Sequence, residues 1–177
     1  METTASRELL AELFEEYSEW YRGLAREYGS LPRSVSGVSA TGLQFICLLD
    51  DLSLHHMARN KYVRFVLDDM RSVAYVYGSI DLDGDSDIAE IVEVLDIVAA
   101  DAGHYMMGRW RVLRDKDGKI AGLSHLETRA GNDPEKQPGS WFLVGSISFS
   151  EAEKHRYGAL WKAAKPSVIF RERSGGD

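Results

Sequence analysis

A hairpin pattern occupies the second half of the chain, where residues 105–128 read YMMGRWRVLRDKDGKIAGLSHLET. The segments 105–114 and 120–128 each have the composition of a strand. Between them, the sequence Asp-Lys-Asp-Gly puts Gly118 at the turn position that requires a positive φ. The pattern therefore predicts two antiparallel strands joined by a short turn.

A register that pairs Arg114 with Lys119 assigns the two faces of this hairpin. Side chains alternate between faces along a strand. One face is therefore mostly apolar and holds one histidine and one glutamate: Met106, Trp110, Val112, Leu123, His125 and Glu127. The other face carries Arg109, Arg111, Ser124 and Leu126. In this register Gly108 lies opposite His125 and leaves room for a ligand.

His125 and Glu127 are the candidate catalytic residues of this face. A carboxylate beside an imidazole raises the pKa of the imidazole and orients it as a general base. We therefore assign His125 as the base and Glu127 as its orienting partner, with Tyr105 or Tyr75 as a hydrogen-bond donor. The alternative is that His125 and Glu127 lie at the solvated edge of the sheet and take part in no reaction.

The N-terminal region has the pattern of a long amphipathic helix. Its apolar residues recur at steps of three and four: Leu10, Leu13, Phe14, Tyr17, Trp20, Tyr21, Leu24 and Tyr28. Ser6 is the predicted N-cap and Gly29 the predicted C-cap. The simplest role for the aromatic face of this helix is to pack on a sheet.

Other segments differ in how clearly they indicate secondary structure. Residues 43–59 favour a helix, with a buried strand as the alternative, and residues 87–98 fit helix and strand equally. Strands are predicted at 62–67, 73–82, 141–149 and 168–170. Ser150 opens a helix that runs to about Ala164, and residues 171–177 form a frayed tail.

The composition of the chain limits its class. It has 177 residues, a net charge of −7, a 44 % hydrophobic share and a 28 % charged share, which fits one globular domain over residues 1–177. Its acidity argues against a general nucleic-acid surface. Cys47 is the single cysteine, and no apolar stretch reaches about 20 residues. The N-terminal residues are rich in Glu, so we expect no signal peptide. We therefore expect a soluble, cytoplasmic protein with no membrane partner.

Sequence motifs give little support to a metal or a cofactor. The alternating aspartates of residues 81–87 resemble a calcium loop, but Ser86 and Val92 stand where the pattern requires glycine and glutamate. A solvated acidic turn, with Asp87 capping a helix, is the favoured alternative. The usual zinc, P-loop, Rossmann and hydrolase motifs are absent, so we expect neither a metal nor a cofactor.

Several short motifs resemble the late strands of the NTF2-like (SnoaL-like) superfamily. They are Gly108-Arg-Trp-Arg-Val, Asp117-Gly118-Lys119, Gly122, Arg129 and Gly139-Ser-Trp141-Phe-Leu-Val. The resemblance covers residues 105–149 and the first helix, whereas residues 43–100 do not match. It implies a cone-shaped α+β fold with a pocket between a curved sheet and the helices, and it also implies a homodimer.

The elements and the resemblance together predict an α+β fold. A long N-terminal amphipathic helix packs on a curved, mainly antiparallel sheet, followed by a late helix and a short C-terminal strand. The expected apolar pocket binds a small apolar molecule, and its predicted lining is Trp110, Met106, Tyr105, Leu123, Tyr17 and Trp20, the last two by the resemblance alone. If the protein is an enzyme, the expected chemistry is an isomerase- or dehydratase-like proton transfer. The alternatives are a non-catalytic interaction module, such as a dimeric accessory protein, and a calcium-dependent module.

Overall fold

A computed structural model describes residues 2–49, 54–84, 91–136 and 142–172. In these ranges the α-helices are α1 (Glu2–Tyr28), α2 (His56–Asp69) and α3 (Glu151–Ala164). The strands are β1 (Ser34–Ser39), β2 (Leu43–Leu48), β3 (Ser72–Gly84), β4 (Ile91–Ala100), β5 (Tyr105–Arg114), β6 (Ile120–Gly131) and β7 (Ile169–Glu172). Short 3-10 turns lie at Pro134–Lys136 and Lys165–Ser167.

The seven strands of these ranges form one curved, unclosed antiparallel sheet in the order β6-β5-β4-β3-β1-β2-β7. Each neighbouring pair is antiparallel, including the pairing of β7 with β2. The predicted α+β class is confirmed: the long helix α1 comes first, α3 comes late, and a short strand ends the described chain.

The two faces of the sheet bury separate cores because successive side chains point to opposite sides. On β3, Ala74 and Val76 pack beneath α1, whereas Tyr75 packs towards α2 and α3. Each fully buried large side chain contributes about 1.5–3 kcal/mol through removal from water. The result is a layer of helix, a layer of sheet and a second layer of helices. In the described ranges, no helix combines the length and the apolarity needed to cross a membrane.

The helix predicted over residues 43–59 was wrong for its first part. Residues 43–48 form β2, which lies between β1 and β7 and is buried on both faces. Phe45 therefore packs in the core of one face and Ile46 in the core of the other. Such a strand has a continuous apolar sequence with no alternation, so its pattern resembles that of a buried helix.

The strand predicted over residues 62–67 was also wrong, because this segment belongs to α2. Ala58, Tyr62 and Val66 recur at four-residue steps and are all buried. That spacing matches one face of a helix. For the segment 87–98, where helix and strand fitted equally, residues 91–98 lie in β4, and residues 87–90 lie outside the described residues.

Residues 142–149 form turns followed by irregular backbone instead of the predicted third late strand, and residue 141 lies outside the described residues. Side chains satisfy the backbone groups that a neighbouring strand would otherwise bind. The Phe142 amide donates to the Tyr75 hydroxyl at 3.2 Å. The Arg64 guanidinium donates to the carbonyl oxygens of Phe142 and Gly145, both at 2.8 Å.

The ends of the helices follow their capping residues, with one exception. Gly29 has a φ of 71° and donates its amide to the Ala25 carbonyl oxygen at 2.9 Å, so it ends α1 as predicted. Ser150 caps α3 with a full capping box, also as predicted. Ser6 lies inside α1, which begins at Glu2. The predicted tail is wrong for residues 171–172, which lie in β7, and its remainder, 173–177, lies outside the described residues.

Candidate functional site

A cavity of about 360 Å³ lies where the N-terminal part of α1 crosses the start of β5 and the end of β6. Its lining is Arg7, Leu10, His104, Tyr105, Met106, Ala130, Gly131 and Asn132. Two of the predicted ligand-binding residues, Tyr105 and Met106, therefore belong to it. We refer to this cavity as the α1–β6 pocket.

The polar end of the α1–β6 pocket is built by the tight turn between β4 and β5. Asp101, which is only 7 % exposed, accepts hydrogen bonds from the backbone amides of Gly103 and His104, each at 2.7 Å. The Nδ1 atom of His104 lies 3.3 Å from the same carboxylate oxygen. The Ser6 hydroxyl of α1 donates to the other oxygen. The carboxylate thus ties the imidazole, the turn and the helix together.

The surroundings of Asp101 favour its ionised form. Burial raises the pKa of this carboxyl group, but the hydrogen bonds from Ser6, Gly103 and His104 outweigh burial and hold the pKa below its usual value. A charged carboxylate beside a histidine fixes the tautomer and the orientation of the ring. His104 therefore has the geometry that was predicted for His125.

The rim and the floor of the α1–β6 pocket differ in polarity. At the rim, the Arg7 guanidinium donates to the Asn132 side-chain oxygen at 2.9 Å, which joins α1 to the end of β6. The floor is apolar, with Leu10 from α1 and Met106 from β5. Such a cavity can hold a small apolar body whose polar group meets Arg7, His104 or Asn132.

The structure separates the predicted histidine–glutamate pair. Trp110 pairs with His125 and Arg109 pairs with Glu127, with an irregularity between these pairs at Leu126. The expected pairing of Gly108 with His125 is therefore wrong. A bulge of this kind adds one residue to a strand, so the regular alternation of side chains fails there.

Each member of that pair has a partner of its own. His125 is exposed, and its Nε2 atom lies 2.9 Å from the Thr128 hydroxyl. Glu127 accepts from Arg129 Nε at 2.7 Å. The described contacts do not include one between His125 and Glu127. Their catalytic roles stay predictions.

The space expected above Gly108 is occupied by the protein itself. A Cβ atom at this position would meet the ring of Trp110 and would lie 2.8 Å from Phe14 Cζ. Trp110 is 6 % exposed in the core beneath α1, with the Arg22 guanidinium 5.2 Å from its ring centre. Leu123 packs against the same core. These two predicted ligand-binding residues are therefore not among those that line the α1–β6 pocket.

Tyr17 and Trp20, whose place in the pocket rested on the resemblance, lie at a second cavity. This cavity of about 320 Å³ is lined by Glu16, Tyr17, Trp20, Ile46, Ile169 and Arg171. Trp20 is ten residues beyond Leu10 on α1, which is about 15 Å along a helix. The single predicted pocket is thus divided between the two flanks of α1.

The other candidate residues, Tyr75 and the described aspartates of residues 81–87, make contacts outside the α1–β6 pocket. Tyr75 is fully buried, and burial raises the pKa of its hydroxyl, which accepts the Phe142 amide. In the Asp81–Asp87 segment, Asp81 binds Arg33 and Asp83 binds Arg109 at 2.8 Å, whereas residues 85–87 lie outside the described residues. Within the described part of the chain, no three His, Cys, Asp or Glu residues are grouped to hold a metal ion.

Comparisons with known proteins add no family to this geometry. No protein-family profile matches the chain, and no curated protein or solved structure matches it either.

Proposed function

We propose that the protein binds a small, mainly apolar molecule with one hydrogen-bonding or anionic group in the α1–β6 pocket. The observation that carries this proposal is the combination of an apolar floor with a polar rim in one cavity of about 360 Å³. Small-molecule sites characteristically have this build, with few polar groups on an apolar lining. The apolar body of the ligand contacts Leu10 and Met106, and its polar group meets Arg7 and His104.

A proton-transfer reaction, such as an isomerisation or a dehydration, is the second candidate function. It is favoured by the contact of 3.3 Å between His104 and Asp101 at the wall of the pocket. A histidine held by a carboxylate can take a proton from a bound molecule and return it at another atom. In this proposal His104 is the base and Asp101 is the positioning residue.

The methionine methyl groups provide a direct test of binding. Met106 lines the pocket, whereas Met57 is 72 % exposed on α2, on the other face of the sheet. With ¹³C-methyl methionine labelling, titration with octanoate and with 1-naphthoate is expected to shift the Met106 signal and leave the Met57 signal in place. Equal shifts of both signals, or no shift with either acid, would contradict the proposal.

A matched pair of variants on β6 tests whether the acids bind in the α1–β6 pocket. Ala130 lines the pocket, and Ala121 is an exposed alanine on the same strand outside it. Ala130→Trp fills the cavity and is expected to abolish the Met106 response, whereas Ala121→Trp is expected to leave it unchanged. The same titration of His104→Ala and His125→Ala then compares the two histidines, and we expect only the first to weaken binding of the acids.

A further inference from the structure

The two outer strands of the sheet present different edges. β6 has 12 residues, two irregularities in its pairing with β5, and an exposed Glu127–Arg129 ion pair. Bulges and charges are the usual means by which an edge strand avoids pairing with another chain. β7 has four residues, and its apolar side chains Ile169 and Phe170 are 58 % and 44 % exposed. The edge of β7 is short and carries Arg171, but it differs from that of β6 in pairing without an irregularity and in exposing two apolar side chains.

β7 has one neighbouring strand among the described residues. It pairs with β2 through Ile169 to Ile46, Phe170 to Phe45, and Arg171 to Gln44. Its other side ends the sheet. Ile169 and Arg171 share the α1 face, whereas Phe170 lies on the face of α2 and α3, because Phe45 packs there. Exposed apolar side chains thus lie on both faces of one free edge.

We propose that β7 pairs antiparallel with β7 of a second copy of this chain, so that the two sheets continue into one. This inference concerns the opposite end of the sheet from the α1–β6 pocket and does not depend on the proposed function. A two-fold axis perpendicular to the sheet keeps every residue on its own face. Only residues that share a face can then pair, which restricts the register.

The best register centres on Phe170. Phe170 then lies opposite Phe170 of the second copy, and Ile169 lies opposite Arg171 of the second copy. A register centred on Arg171 would place two guanidinium groups opposite each other, which is unfavourable. A register centred on Ile169 would draw in Ser167, which lies in the 3-10 turn before β7. The Phe170 register keeps its three central pairs within β7.

This pairing covers the exposed apolar groups with suitable partners. Aromatic pairs stabilise antiparallel strands when they lie directly opposite. The aliphatic part of an arginine side chain covers an isoleucine while its charged end stays in water. Because the same edge is used by both copies, the assembly closes at two and leaves the charged edges of β6 at the outside.

Variants of the full chain with one added cysteine test this register, since the native Cys47 is buried and free. Directly opposed residues have Cα atoms about 4.5–5.5 Å apart, within the range for a disulfide. Phe170→Cys is therefore expected to form a covalent dimer on mild oxidation with oxidised glutathione. Ile169→Cys should not do so, because its copies lie about 8 Å apart. Equal cross-linking of both variants, or none with Phe170→Cys in a folded protein, would overturn the proposal.

Two variants of Ile169 with opposite charges test the same register without changing Phe170. Ile169→Lys sets a lysine opposite Arg171 of the second copy, and Ile169→Glu sets a carboxylate there. Both variants lose the same apolar side chain. By sedimentation velocity, the wild-type protein is expected to be a dimer, Ile169→Lys a monomer and Ile169→Glu a dimer. A monomeric wild-type protein, or the same state for both variants, would overturn the inference.

Discussion

The two faces of the sheet are covered by different numbers of helices. One face has a single helix, α1, and at its flanks lie two cavities with charged side chains in their linings. The other face has α2, α3 and the turns of residues 142–149, joined by aromatic contacts such as Tyr62–Tyr157 and Phe65–Phe149. The second face also has a cavity, of about 330 Å³ beside α3, but its lining contains no charged side chain.

The difference follows from dimensions. Seven strands about 4.8 Å apart span roughly 29 Å between the outer two, whereas a helix with its side chains is about 10–12 Å wide. One helix therefore leaves both flanks of its face uncovered. Two helices with an added loop can cover most of the opposite face. The cavities at the flanks of α1 differ from the cavity beside α3 in having charged side chains in their linings.

The face of α1 also holds a group of buried polar contacts. The Tyr21 hydroxyl lies 3.0 Å from the Ser34 hydroxyl and 3.2 Å from that of Ser36. Burial raises the pKa of Tyr21 to about 12, so this phenol stays protonated at neutral pH. On the same face, the buried Gln44 accepts from Arg171. Such polar contacts are directional and fix the position of α1 on the strands.

The largest expected effect compares a tryptophan on each face. Trp161 of α3 is 3 % exposed, packs near Phe45, and donates its indole N–H to Asp69 at 2.8 Å. Trp161→Ala should lower the free energy of unfolding by about 3–5 kcal/mol. Trp20 of α1 is 38 % exposed, so Trp20→Ala should cost less than half as much. Urea unfolding measures both, and equal losses would contradict the proposed difference between the faces.

Asp101 at the α1–β6 pocket has the next largest expected effect. Asp101→Asn should cost about 1.5–3 kcal/mol at pH 7, because the carboxylate receives several hydrogen bonds. Its pKa in the folded protein is lowered, so its contribution is fully present above the unfolded pKa of about 3.9. This contribution is lost as pH falls through the lower folded pKa. Unfolding from pH 7 to pH 3 should show the two proteins converging in stability, and a constant gap would argue against the charge.

Gly108 tests how tightly the core beneath α1 is filled. Gly108→Ala adds a methyl group against the Trp110 ring and Phe14, which should cost about 1–3 kcal/mol through overpacking. Gly23 in α1 has nothing within 4 Å of a built Cβ, so Gly23→Ala should stabilise by about 0.5–1 kcal/mol. Thermal unfolding measures both changes. A tolerated Gly108→Ala would indicate space at this position after all.

The smallest expected effect is at the start of α3. The Ser150 hydroxyl accepts from the Glu153 amide at 3.2 Å, and the Glu153 carboxylate accepts from the Ser150 amide at 2.9 Å. Ser150→Ala should cost about 1 kcal/mol. The exposed Ser146 provides the control, since Ser146→Ala should change stability little. An equal change in both, measured by urea unfolding, would show that the cap does not stabilise the helix.

The elements with strong local signals were predictable from the sequence. α1 has an apolar period with Gly29 at its end, the β5–β6 hairpin has its glycine turn, and α3 has its capping serine. β2 was harder to predict because a strand that is buried on both faces has no alternation. α2 was missed although Ala58, Tyr62 and Val66 have helical spacing. The turns of residues 142–149 were not predictable either, since the Arg64 contacts that hold them join positions about 80 residues apart.

Only part of the candidate site was predicted from the sequence, because only some of its residues lie in elements with strong local signals. Tyr105 and Met106 were predicted, because they lie in a strand with a clear sequence pattern. The bulge at Leu126 cannot be located from the sequence, and it moves Glu127 away from the face of His125. A usable signal for His104 did exist: an aspartate followed by Ala-Gly at the end of a strand is typical of a side-chain-stabilised turn.

The pairing of β7 with β2 has a consequence during synthesis on the ribosome. β2 ends at Leu48, and its partner begins at Ile169, about 120 residues later in the chain. At roughly 5–20 residues per second, β2 would wait about 6–24 seconds for β7 to be made. In that interval Phe45 and Ile46 lie on an unpaired strand edge, which is a template for aggregation. The growing chain is therefore most exposed to a misfolding partner, or to a chaperone, at this strand.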